Sequence, residues 1–331
     1  MKQNNFMLQA IKEAWKYQFL TYPNPAVGAC IVKDKESICV GVHTQAGTPH
    51  AEVNAIKKAF QKLSFSSQLQ KLENSHDIHN YIIQNHNGIF EDCEIYVTLE
   101  PCNHVGKTPA CANLLKECRF KKVYIGSCDP NNEAAGGITT LKEAGIDVEI
   151  GIEKEACDNL LYPFKKWING SFKFFKIAMR EDGSIDGGYI TSKDSLTLVH
   201  EIRTHLDLLI IGGETVRVDR PTLDARYAKI NKPSDILIYS NQKKFDKDIP
   251  LFNVEKRQVF IDNDLNIYKQ NFSMIEGGYT LLNHLKDEID MLMVFISHKE
   301  KKDKLFDLES LGLKKIYSYF INESDEIIFL K

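Results

Sequence analysis

Long apolar runs are missing from this sequence. Residues 1–20 break every apolar stretch with polar side chains, so the uninterrupted hydrophobic core of a secretory signal is absent. No later segment reaches the length of a membrane-spanning helix. There is no basic excess either: 42 Lys and Arg against 45 Asp and Glu give a net charge of -3, which argues against a polyanion binder. Internal repeats and extended single-residue tracts are also lacking. Eight cysteines without a secretion signal fit a reducing compartment, where thiols stay free or bind metal. The expectation is a cytoplasmic protein with neither nucleic acid nor membrane as partner.

With 331 residues, the chain is long enough for two cores, and 43% hydrophobic with 26% charged residues is ordinary for a globular protein. Phe6, Leu8, Ile11, Ala14 and Trp15 recur at helical spacing up to the stop signal Tyr22-Pro23-Asn24-Pro25. Val27 to Val32 and Ile38 to Val42 are short β-prone runs that predict a hairpin, followed by a helix over Pro49 to Phe60. The Gln-, Asn-, Ser- and His-rich stretch from Gln61 to Asp92 has weak periodicity and reads as a loop or insert, with His76, His79 and His86 solvated. A strand at Glu94 to Leu99, a turn, a helix near Cys111 to Cys118, a strand at Lys122 to Gly126 and a last helix and strand carry the first domain to residue 150. Ile152 to Asn169 reads as helical. In the remaining part, residues 151–331, strands at Phe172 to Met179, Leu208 to Ile211, Ile236 to Ser240, Gln258 to Ile261 and Leu292 to Ile296 alternate with helical stretches near Ser195 to His205 and Thr280 to Lys286, an α/β pattern.

The sharpest chemical signal is His50-Ala51-Glu52, followed by Pro101-Cys102 and by Cys111. One imidazole and two thiolates are three zinc ligands, which leaves the fourth tetrahedral position for water, as catalysis requires. Zinc lowers the pKa of that water to about 7, and Glu52, two residues from a ligand, is placed to shuttle protons as the catalytic residue. Cys30, Cys39, Cys93, Cys118, Cys128 and Cys157 have no comparable partners and read as core or surface thiols.

The usual zinc-deaminase signature ends in Cys-x-x-Cys, whereas here eight residues, Asn103 to Ala110, separate Cys102 from Cys111. With Pro23-Asn24-Pro25-Ala26-Val27-Gly28, Thr98-Leu99-Glu100-Pro101-Cys102 and Gly106-Lys107-Thr108-Pro109-Ala110-Cys111, the chain resembles the bifunctional riboflavin-biosynthesis deaminase/reductase family over nearly its whole length. The resemblance implies a cytidine-deaminase-like three-layer domain followed by a dihydrofolate-reductase-like domain. It also implies zinc and NADPH as cofactors and a pyrimidine ribosylamine phosphate as substrate. It places Asn24 and His43 near the pyrimidine and His104, Lys107 and Thr108 around the ribose phosphate.

In the second domain the resemblance rests on Lys176-Ile177-Ala178-Met179, Asp182-Gly183, Tyr189-Ile190-Thr191-Ser192, the block from Val199 to Arg226, and Glu276-Gly277-Gly278. It implies that Arg203, Leu223, Arg226 and Glu276 bind substrate, and that Met179, Tyr189, Thr215, Asp219, Gly277 and Gly278 contact NADPH. Hydride would then pass to the anomeric carbon, converting the ribosyl group to ribityl. Three features differ from the family pattern: the long insert before Asp92, a turn at Asn131 to Gly137 with no second proline, and a short tail through the charged run Lys299 to Lys304. That tail often pairs reductase domains, so a homodimer through the second domain is the expected assembly. The alternatives are an active deaminase, of nucleosides or RNA bases, with a degenerate, non-reducing second domain, and a structural-zinc RNA-binding protein.

Overall fold

The β-prone runs on either side of Asp34 and Lys35 close as a hairpin, because both turn residues adopt the left-handed conformation that a tight two-residue connection requires. In the computed structural model, which describes every residue except 1, 65–67, 105, 107, 186–187, 266–270 and 300–307, this hairpin is β1 (Gly28–Lys33) and β2 (Glu36–Val42). It follows helix α1 (Lys2–Trp15) and precedes α2 (Ala51–Ser64) and α3 (Ser75–Asn85). Next come β3 (Glu94–Leu99), α4 (Cys111–Glu117), β4 (Lys122–Ser127), α5 (Gly137–Glu143) and β5 (Asp147–Ile150). The sheet order is β2-β1-β3-β4-β5, with β3, β4 and β5 parallel.

Period-2 alternation gives this sheet two buried faces, and each takes a helical layer. Ala29, Ile31, Ile95, Val97, Val123 and Ile125 meet Val53, Ile56 and Phe60 of α2 and Leu114 and Leu115 of α4. On the other face Tyr96 stacks on Tyr124 at 4.2 Å, with Phe6 of α1 packed against it. Gly28 is required here, since a Cβ would lie 2.2 Å from the Ala10 carbonyl oxygen of α1.

The first compact unit runs to Lys165 and the second from Lys166 to Lys331, so the boundary falls beyond the expected 150/151. The reason is packing. After β5 the chain forms α6 (Lys154–Leu160), whose Cys157 fills the space beside Gly126 of β4, while Gln18 donates to the Leu160 carbonyl at 2.7 Å. Helix α7 (Tyr162–Trp167) then leads into the second unit.

The stretch expected as an irregular insert contains a 3-10 turn (Gln68–Lys71) and α3. Asn74 caps α3 by accepting from the His76 and Asp77 backbone amides, and Leu69, Ile78 and Ile82 join the core. His79 and His86 are therefore buried instead of solvated, at 3% and 9% exposure. His76 is exposed as expected.

In the second unit the elements are β6 (Phe172–Arg180), α8 (Lys193–Arg203), β7 (Leu208–Gly212), α9 (Gly213–Asp219), β8 (Asp235–Tyr239) and β9 (Val259–Asp262). They continue with β10 (Phe272–Glu276), α10 (Tyr279–Leu285), β11 (Met291–Ser297), β12 (Lys315–Phe320) and β13 (Asp325–Leu330). The eight-stranded order is β12-β13-β11-β6-β10-β7-β8-β9. From β11 to β9 all neighbours are parallel, so the carboxyl ends of six strands share one edge. The short tail completes the sheet as the antiparallel β12–β13 hairpin on β11. Lys299 is described, whereas the rest of the charged run, through Lys304, lies outside the described residues. No helix among the described residues is long and apolar enough to cross a membrane.

Candidate functional site

In the first unit the carboxyl end of β3 and the openings of α2 and α4 converge. His50 immediately precedes α2, Cys102 lies three residues beyond β3, and Cys111 opens α4. Their ligand atoms lie within 4.8 Å of one another, with His50 Nδ1 3.5 Å from each sulfur. Among the described residues this is the one such cluster of His, Cys, Asp or Glu. The Cys111 backbone N–H donates to Cys102 Sγ at 3.4 Å, and Thr108 Oγ1 lies 3.3 Å from His50 Nε2, leaving Nδ1 toward the sulfurs. A nitrogen and two sulfurs, each ligand steadied by a neighbour, is a donor set that fits zinc.

Electrostatics favour one of the two thiolates. The Cys111 hydrogen bond and the His50 imidazole outweigh burial and lower Cys102, while Cys102 and burial push Cys111 up. One sulfur is therefore ready as thiolate, the form a metal binds. Glu52 is buried, and burial together with the Cys102 charge pushes its carboxyl up to about 7. A carboxyl near neutrality can both take and give a proton.

Asn24 and His43 reach the same centre. The His43 ring lies edge-on to His50 with centroids 5.3 Å apart, and Asn24 Nδ2 is 3.1 Å from His43 Nε2. Pro49 O stands 3.2 Å from His43 Nδ1, so the consistent arrangement has Nδ1–H donating to Pro49 and Nε2 accepting from Asn24. Burial, reinforced by His50, lowers His43 to about 4 and keeps it neutral at pH 7.

His104 is exposed on the loop between the two cysteines, Thr108 is buried against His50, and Lys107 lies outside the described residues. Thr108 thus touches the metal ligand, a contact its motif did not reveal. Glu100 was singled out only within a motif, and here its carboxylate accepts from the backbone amides of Asp129, Gly136 and Ile138, fixing the following loop.

The second unit holds a crevice of about 530 Å³ at the carboxyl edge of its parallel strands. Leu223, Glu276, Thr215, Asp219, Gly277 and Gly278 all line it. Gly277 and Gly278 present bare backbone there, since a Cβ would meet Leu281 at 2.8 Å and Ile185 at 3.1 Å. That opening fits a coenzyme pyrophosphate approaching main-chain amides. Arg203, at the end of α8, grips Glu276 with three hydrogen bonds of 2.9–3.0 Å and donates to the Asp224 carbonyl. Against the cost of burial, Arg203 and Lys176 hold the Glu276 carboxyl below its ordinary value.

Four expected residues do not line the crevice: Arg203, which lies behind Glu276, and Met179, Tyr189 and Arg226. Met179 is turned into the core by alternation along β6, where its sulfur accepts from the Tyr279 hydroxyl at 3.6 Å. Tyr189 is 76% exposed, and its neighbour Ile190 lines the crevice instead. Arg226 is exposed and paired with Asp224 at 2.9 Å.

Two residues were missed. Lys176 is the only cation among the described lining residues, and burial lowers its ammonium. Arg257 donates to the carbonyls of Thr222 and Leu223, holding Leu223 at a φ of 55° that a non-glycine residue rarely adopts. The period-2 position of Lys176 on β6 could have revealed the first; nothing local marks the second.

A His/Cys/Cys centre with a buried glutamate on a three-layer sheet, joined to a mainly parallel sheet with a coenzyme-sized crevice, defines a zinc-type deaminase unit fused to a dihydrofolate-reductase-like unit. Residues 1–127 match the cytidine and deoxycytidylate deaminase zinc-binding region. Riboflavin biosynthesis protein RibD of Synechocystis is 36% identical over 211 residues, covering 61% of this chain and 50% of that protein. The RibD of Aquifex aeolicus is 28% identical over 352 residues, covering 94% and 91%. The chain therefore spans half the length of the first relative and nearly all of the second. Among solved structures, the diaminohydroxyphosphoribosylaminopyrimidine deaminase/5-amino-6-(5-phosphoribosylamino)uracil reductase of Thermotoga maritima superposes with a TM-score of 0.64 at 26% identity, covering 100% of this chain and 98% of that one. The chain is thus similar to riboflavin-biosynthesis deaminase/reductases along both of its units.

Proposed function

We propose that the first unit hydrolyses the 2-amino group of 2,5-diamino-6-(5-phosphoribosylamino)pyrimidin-4(3H)-one, and that the second reduces the ribosyl group of the product to ribityl with NADPH. The observation that carries this reading is the loop from Cys102 to Cys111. It folds back so that Thr108 lies 3.3 Å from His50, which anchors the C-terminal end of this loop at the metal centre. The resemblance assigns His104, Lys107 and Thr108 to the ribose phosphate, for which an ammonium and a hydroxyl are suitable donors.

His50, Cys102 and Cys111 would hold zinc, which supplies a Lewis acid for activating water near neutral pH. Glu52 takes a proton from the attacking water and returns protons to the ring nitrogen and the departing ammonia. The neutral His43–Asn24 pair positions the pyrimidine without introducing a charge. In the second unit Thr215, Asp219, Gly277 and Gly278 would hold NADPH, which supplies the hydride. Arg203, locked on Glu276, keeps the substrate-side wall rigid, and Leu223 packs beside it. Lys176 is placed to give a proton to the sugar ring oxygen as its bond to the anomeric carbon breaks.

Eight free cysteines suit a reducing, cytoplasmic setting, and the 58% exposed Phe320 on edge strand β12 supports pairing of two copies through the second unit. Ammonia release tests the substrate assignment. The phosphorylated diaminopyrimidinone should be used at least about a hundredfold more efficiently, by kcat/KM, than its dephosphorylated form or cytidine. Equal use of cytidine would overturn it.

A further inference from the structure

The short C-terminal hairpin reaches the crevice through one buried carboxylate. β13 pairs with β11 so that Asp325 stands opposite Ser297, at the same edge of the sheet as the carboxyl ends of the parallel strands. Asp325 is fully buried, and its Oδ2 accepts from the Ser192 backbone N–H at 2.7 Å and from Ser195 Oγ at 2.5 Å. Its other oxygen accepts from Ser324 Oγ at 3.2 Å. Asn322, in the hairpin turn, reinforces the grip by donating to Ser192 Oγ and Asp194 Oδ2, both at 2.9 Å. Ser192 is the N-cap of α8, so a carboxylate sits where the first free amides of the helix point. Burial alone would raise Asp325, but these donors outweigh it and hold the carboxyl below its ordinary range.

The segment held this way is functional ground. Ile190, two residues before Ser192, lines the crevice, and Thr191 between them is buried. From this geometry we infer that Asp325 is a positioning residue for the coenzyme: it fixes the segment Ile190 to Ser192, whose Ile190 is part of the wall of the NADPH crevice. The inference rests on the reading of that crevice as the NADPH site. The hairpin itself contributes no residue to the crevice lining, so its effect passes through Ser192. Losing the anchor frees the wall and charges its ordering to binding, which weakens coenzyme affinity.

The test is NADPH binding, followed by the change in coenzyme fluorescence on the full chain well below its unfolding temperature, together with steady-state KM for NADPH and kcat. Asp325→Ala should raise the NADPH Kd at least about tenfold, with KM for NADPH rising by a larger factor than kcat falls. Asp325→Asn should lie between, since one amide oxygen can still accept from both Ser192 and Ser195. If the alanine variant fails to fold, Asp325→Asn and Ser195→Ala carry the test, each with an expected Kd increase of about threefold. A lowered unfolding temperature with unchanged Kd in every variant that folds would make Asp325 a structural lock only and overturn the inference. A wild-type chain that binds no NADPH would instead overturn the crevice assignment itself, and the inference with it.

Discussion

Glu52→Gln should cut ammonia release by about 10²–10⁴-fold while zinc remains bound at wild-type stoichiometry. The amide has nearly the shape of the carboxyl but cannot accept the proton of the attacking water or return it to the ring. Position 52 is buried, with its carboxyl pushed up to about 7, so the native side chain exchanges protons near neutrality at little cost. Metal content should hold because His50 Nδ1, Cys102 Sγ and Cys111 Sγ form the cluster without Glu52. Ammonia release and zinc content measured on the same preparation give the answer. Unchanged deamination would remove Glu52 from the chemistry, and lost zinc would recast it as a ligand or a structural support.

Cys102→Ser should release most of the zinc and abolish deamination. The Cys102 thiol is the group that Cys111 and His50 hold below the ordinary thiol range, and it also accepts from the Cys111 backbone N–H. A serine hydroxyl does not ionise at this pH, and a two-ligand centre retains zinc poorly. NADPH oxidation with the already deaminated pyrimidine should continue, because every residue lining the crevice belongs to the second unit. Metal analysis and the two separate assays report these outcomes. Full zinc occupancy in this variant would refute the ligand assignment.

The metal centre was legible because its signal is local. His50 and Glu52 stand two residues apart at the opening of one helix, and each cysteine lies at the boundary of a strand or helix. The β1–β2 hairpin, β3 and β4 were legible for the same reason, as short apolar runs bounded by polar turns. Helix α3 was not, because its buried face shows only Ile78, Ile82 and an uncharacteristic Ser75 and His79 among polar neighbours. Burial of His79 depends on packing that no local pattern carries.

In the second unit, β10 was hidden because Phe272 to Glu276 is a short run of five residues with no polar alternation, directly before the glycine pair. The tail strands β12 and β13 were not legible, since Asp325 to Leu330 runs as two acids followed by four apolar residues with no period-2 alternation. Met179 was misplaced by trusting the motif over the alternation of β6, which sends its side chain to the core. Arg257, distant in sequence from the turn it holds, could be found only from the folded chain.

The central claim is that both halves of one chain act in succession, and a single reaction tests it. The diaminopyrimidinone ribosylamine phosphate is supplied with NADPH, and ammonia release and loss of coenzyme absorbance are followed together. One NADPH oxidised for each ammonia released, with oxidation lagging behind deamination, is the predicted result. Ammonia release with no NADPH oxidation, and none when the deaminated product is supplied directly, would contradict the claim and leave a deaminase beside a non-reducing second unit.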